Sequence, residues 1–155
     1  EALDIERFSM FTFSPIRGRM ELLCDYVKTA KRDGKPLKDD PVIRQKIAQL
    51  TTELEVARVL GVRFVDAALN STKTPTVEAS HYKLYATELS RRIADATMDI
   101  VGPGAQLALR TEDAPLKGRS ESCYTYTVID TIGGGSSEVQ RNIIATRGLG
   151  LPRNF

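Results

Sequence analysis

DPVIRQKIAQLTTELEVARVLGVRFVDAALN, residues 40–70, is the stretch whose reading decides the fold. Within it Ile43, Ile47, Leu50, Leu54, Ala57, Gly61, Phe64 and Ala68 recur at alternating steps of four and three. That spacing draws one continuous apolar stripe along a single helix. Such a helix is about 30 residues and about 45 Å long, at a rise of about 1.5 Å per residue. Asp40 suits the cap position, and Pro41 suits the first helical position, whose N–H needs no partner. Asn70-Ser71-Thr72 closes the helix, and Pro75 blocks its direct continuation.

Downstream, a second long helix is expected from Thr76, where Tyr82, Tyr85, Leu89, Ile93, Ala96 and Ile100 repeat the spacing. Lys83, Arg91 and Arg92 fall largely off that stripe, and Gly102-Pro103-Gly104 ends the pattern. Upstream, residues from Leu3 to about Lys31 are also helical in pattern, with Phe8, Phe11, Leu22, Leu23, Tyr26 and Val27 as core candidates. Pro15 is expected to kink or interrupt that helix. After a looser stretch, 105–118, two shorter helices are expected, from Ser120 to Thr131 and from Ser136 to about Arg147, joined by Gly133-Gly134-Gly135. No internal repeat and no strong strand alternation interrupts this plan. The expected fold class is therefore all-α: an antiparallel four-helix-bundle-like domain with additional short C-terminal helices.

A chain of 155 residues can bury about two-thirds of its unfolded surface in one core. With 41% hydrophobic and 27% charged residues and a net charge of +2, it reads as an ordinary globular domain. Nucleic-acid binding is disfavoured, because such binders are more often strongly basic on one face and the net charge here is only +2. Cys24 and Cys123 lack metal or redox spacing, and His81 is the sole histidine, so no metal site is expected. A reducing, cytoplasmic setting is the simplest expectation. No apolar run approaches a membrane span, and the start lacks the plan of a signal peptide. Glu1 in place of Met makes the chain read as part of a longer protein. The remaining polar and aromatic features take structural readings: Tyr82, Tyr85, Tyr124 and Tyr126 as core or interface edges, Lys28 to Lys38 as a solvated loop, and Met10 and Met20 as gap fillers.

Chemistry is most readable near the end of the chain. A triple glycine feeding a serine-capped helix lets a polar cofactor group approach the backbone closely. Taken alone, such a run is more often a flexible link. The full string from Gly135 to Ala145, GSSEVQRNIIA, resembles the GTSEIQRNIIA text of acyl-CoA dehydrogenases. The resemblance covers the chain and implies a C-terminal helical bundle domain, residues 1–155, preceded in the whole protein by a helical domain and a β domain. It implies α,β-dehydrogenation of an acyl-CoA thioester, in which a glutamate removes the α-proton and the β-hydrogen leaves as hydride to FAD. Without the upstream domains, residues 1–155 are expected to hold no flavin.

Many members of that family carry the base just before the glycine of GTSEIQ, where this chain has Gly134. Other members, isovaleryl-CoA dehydrogenase among them, place it instead in an LDLER motif on the first helix of this domain, and Leu3-Asp4-Ile5-Glu6-Arg7 is similar to it. The resemblance thus implies Glu6 as base, with Asp4, Arg7 and Gly134 beside the substrate. Desolvation by flavin and acyl chain would raise a carboxylate toward neutral pH. Without the motif, Glu6 would read as an exposed residue near a helix start. Ser136, Ser137 and Glu138 match residues that contact FAD, and the 99–103 segment, with Gly102, partly matches one lent by a neighbouring subunit.

One departure is large. Where the family's RxxFG…Q pattern reaches a neighbour's FAD, this chain has Ala30, Asp33 and Pro41, and an aspartate repels a pyrophosphate. Lys31 or Arg32 is the available substitute in a shifted register. A chain that keeps the residues for its own flavin and loses those for its neighbour's suits a mixed assembly, as in some actinobacterial sterol side-chain dehydrogenases. The implied partners are an acyl-CoA substrate, electron-transfer flavoprotein as acceptor, and further subunits in a homo- or hetero-tetramer arranged as a dimer of dimers. The alternatives are a non-catalytic helical assembly subunit and a related acyl-CoA oxidase.

Overall fold

The computed structural model describes residues 13–153. Helix α1 spans Phe13–Thr29 and leads into a minimal hairpin, β1 Lys31–Arg32 and β2 Lys35–Pro36. The strands pair antiparallel, Lys31 with Pro36 and Arg32 with Lys35. A 3-10 turn, Leu37–Asp39, feeds α2, Pro41–Asn70, and α3 follows as Thr76–Val101. Two further 3-10 turns, Pro103–Gln106 and Pro115–Gly118, lead to α4, Arg119–Asp130. The chain then forms α5, Ser137–Ile143, and a π-helical turn, Ile144–Gly148. The all-α expectation holds, with one small hairpin added.

The start of α2 is built as its sequence predicts. Asp40 Oδ1 accepts from Val42 N at 2.8 Å and Ile43 N at 3.2 Å, and Pro41 occupies the first turn. Ile43, Leu50, Leu54, Ala57 and Phe64 are buried, whereas Gly61 is half-buried and Ala68 exposed, so the stripe fades toward the C-terminal end. α1 runs unbroken from Phe13 to Thr29 with Pro15 in its first described turn, and the segment before Phe13, where the expected interruption would fall, lies outside the described residues. Ile16, Met20, Leu23 and Val27 make its core face.

α3 departs from the single-stripe expectation. Its buried positions cover more than half of the helix circumference, leaving His81, Arg91 and Asp99 exposed on the remaining side, and include Ala79, Ser80, Tyr82, Lys83, Ala86 and Thr87 in its first half. The reason is its place: α1, α2, α4 and α5 all pack against it. Small side chains let those neighbours approach, and Thr87 and Thr97 donate to the Lys83 and Ile93 carbonyls one turn back, at 2.9 and 2.7 Å. Lys83, assigned by periodicity to the outer face, is fully buried.

A polar cluster ties three helices together. Arg19 of α1 donates to Ser90 of α3 and stands 3.3 Å from Asp130 of α4, with its guanidinium over the Tyr126 ring. Tyr82 is core and Tyr85 packs at its margin, while Tyr124 and Tyr126 are exposed. His81 is exposed, and no group of metal-ligating side chains occurs among the described residues. No described helix is long and apolar enough to cross a membrane.

Candidate functional site

The glycine run forms a closed corner between α4 and α5. Ile132 N and Gly133 N donate to Ile129 O at 3.0 and 2.9 Å, and Ser137 N returns to Thr131 O at 3.1 Å. Lys83 Nζ reaches the same Thr131 carbonyl at 3.5 Å from inside the core. Gly134 and Gly135 then adopt φ of 65° and 97°, a region that disfavours side chains. Behind them lies Gln140, fully buried, whose Nε2 donates to Gly134 O and to Gly135 O, both at 3.1 Å.

The serines close the corner on its helical side. Ser136 caps α5, its Oγ accepting from Val139 N at 3.4 Å. Glu138 is exposed, and the hydrogen bond from Ser136 holds its carboxyl below the usual range, helped by its own backbone N–H and opposed by burial. Arg141 Nη2 meets Glu88 Oε1 at 2.6 Å and fastens α5 to α3. Ser137 Oγ and Gln140 Oε1 are buried and meet no hydrogen-bond partner among the described residues. The half-buried backbone of Gly133, Gly134 and Gly135, free of side chains, lets the polar edge of a bound cofactor approach. Gly134, Ser136, Ser137 and Glu138 are thus gathered at one place.

Gly102 is elsewhere. It ends α3 with φ of 80°, and its N–H donates to Met98 O at 2.9 Å. Beside that end lies the hairpin, because Arg32 Nη2 donates to Ile100 O at 2.7 Å. At about 1.5 Å per residue, Lys83 at the corner and Ile100 at the hairpin stand about 25 Å apart along α3. The hairpin borders an open cleft of about 580 Å³ lined by Arg32, Asp33, Lys35, Asp39 and Pro41, among others. Arg32, the substitute cation expected from the sequence, is therefore tied to the end of α3.

The sequence reading missed Gln140 and Lys83. Periodicity had no means of finding a polar side chain turned inward. The Asp33-Gly34 pair, with φ of 51° and 77°, was a usable signal for the hairpin, because a tight two-residue turn needs that geometry. Glu6, Asp4 and Arg7 lie outside the described residues.

The family model for "Acyl-CoA dehydrogenase, C-terminal domain" matches residues 1–149. The chain belongs to that family. This acyl-CoA dehydrogenase domain is 29% identical over 154 residues to acyl-CoA dehydrogenase FadE26 of Mycobacterium tuberculosis, covering 97% of the chain and 38% of the relative. It resembles the structure of the ChsE4-ChsE5 complex from Mycobacterium tuberculosis, with TM-score 0.82 and 29% identity over 93% of the chain and 36% of the other. The Tcur3481-Tcur3483 steroid ACAD structure gives TM-score 0.86 and 26% identity, over 99% of the chain and 39% of its counterpart. The acyl-CoA dehydrogenase domain thus spans less than half the length of each relative.

Proposed function

We propose that the whole protein is an FAD-dependent acyl-CoA dehydrogenase whose C-terminal domain is this chain, and that Glu6 is its base. The observation that carries the reading is the corner at Gly134 and Gly135, where a glycine stands in place of an acid. A glycine takes no proton, so the base must come from another segment, and Glu6 in its LDIER setting is the residue of the right chemistry. In this reading Asp4, Arg7 and Gly134 line the acyl-CoA, and Ser136, Ser137 and Glu138 hold the polar edge of the flavin. Bound FAD supplies the two-electron acceptor. The protein's own task is to keep the Glu6 carboxylate desolvated, so that its pKa rises toward neutrality.

The test is Glu6→Gln in the full-length protein. Flavin should remain bound while acyl-CoA-dependent bleaching falls by a factor of about 1,000 or more. Bleaching at the wild-type rate would move the base to another residue.

The cleft favours one refinement, a mixed assembly. Asp33 and Pro41 line it where relatives carry residues for a neighbour's FAD, and the two-component structures named above resemble this chain. Such a subunit keeps one flavin site and relies on a related partner for cross-subunit contacts. Bulky acyl-CoA substrates such as sterol side chains, an electron-transfer flavoprotein acceptor and a bacterial cytoplasmic location go with this reading. Its rival is a subunit that is catalytically silent and supports an active partner. Retained turnover in an assembly carrying Glu6→Gln together with a flavin-less corner would favour that rival.

A further inference from the structure

We infer that Gln140 is a positioning residue that aims the glycine corner at the flavin without touching it. The inference rests on the flavin reading of the corner given above. The side-chain amide donates to two consecutive carbonyls, Gly134 O and Gly135 O, each at 3.1 Å. In a trans peptide the C=O and N–H of one unit point in opposite directions. Holding the Gly134 carbonyl inward therefore turns the Gly135 N–H away from the core, and holding the Gly135 carbonyl inward does the same to the Ser136 N–H. Both residues are half-buried, and no acceptor among the described residues meets either N–H. Two successive donors facing one side attract an acceptor from that side.

Glycine peptides flip readily, so this arrangement needs an external hold. Gln140 is that hold. The amide nitrogen must face the two carbonyls, because its oxygen would repel them. A packing role alone does not account for the residue: its Oε1 is buried without a partner, a cost that an apolar side chain of the same size avoids. Gly135 is matched to it, because a Cβ at that position would lie 2.7 Å from Gln140 Nε2.

Gln140→Glu in the full-length protein, with its partner subunit where the assembly is mixed, tests the assignment. An ionised carboxylate cannot donate, whereas a protonated one can. Facing two carbonyls in a buried site, the new carboxyl titrates well above its ordinary value. FAD affinity, read by flavin fluorescence, should fall about tenfold at about pH 8 and return toward wild type near about pH 6. A Gln140→Met companion should lose affinity by a similar factor at both pH values. FAD affinity of Gln140→Glu within about twofold of wild type across that range overturns the assignment. If neither variant folds, amide hydrogen exchange on the wild type decides. FAD should slow exchange in the segment 133–137, and unchanged exchange there with flavin bound counts against Gln140. A full-length wild type that takes up no FAD even in the presence of its partner subunit sinks the flavin reading itself, and this inference with it.

Discussion

Asp130 shows how much one side chain can hold here. Its carboxylate is 9% exposed and its partner Arg19 15%, so removing either leaves a charge in a dry place. Asp130→Ala is expected to cost about 3 kcal/mol, whereas Arg19→Met with Asp130→Leu should recover most of that loss. A double-mutant cycle by urea unfolding measures the difference, and equal losses in single and double variants would refute it. Tyr82 makes the corresponding case for alkali. Burial pushes its phenol up to about 12 from 10.0. The folded value is raised, so the stabilisation is complete below about pH 10 and disappears as pH climbs toward about 12. The loss should approach about 3 kcal/mol, and Tyr82→Phe should abolish that part of the alkaline transition.

Elements differ in how openly their sequences declare them. α2 was legible from Asp40-Pro41 and its apolar steps, because one face meets water and the contrast survives in the text. α3 was legible in extent but not in environment: Ser80, Thr87, Ser90 and Lys83 are buried on faces that hydropathy gives to solvent. The hairpin is too short to alternate, and Gln140 looks like any surface residue until its helix is folded against the glycine run. The connector before α4 hides another constraint. Gly118 has φ of 73°, and a Cβ there would lie 2.2 Å from Ala108 O. Gly118→Ala is therefore expected to cost at least about 2 kcal/mol in thermal unfolding, by combined strain and backbone collision. A shift of the midpoint by under about 1 °C would show that the 108–109 segment yields freely.

At the scale of the molecule, α2 presents Val59 and Val62, 48% and 57% exposed, on its side away from Leu50, Leu54 and Ala57. In the assembly proposed above such a face would receive a neighbouring helix. Val59→Lys with Val62→Lys should lower the association state in sedimentation and leave the fold of each subunit intact, since surface changes there cost only about 0.5 kcal/mol. Unchanged assembly would move the contact elsewhere. α3 meanwhile is gripped by four other helices along its length, with the glycine corner against one part and the hairpin against its far end. A rod held that way cannot flex at one end alone. The spacing between its two stations is consequently set by the helix they share, like marks on a ruler.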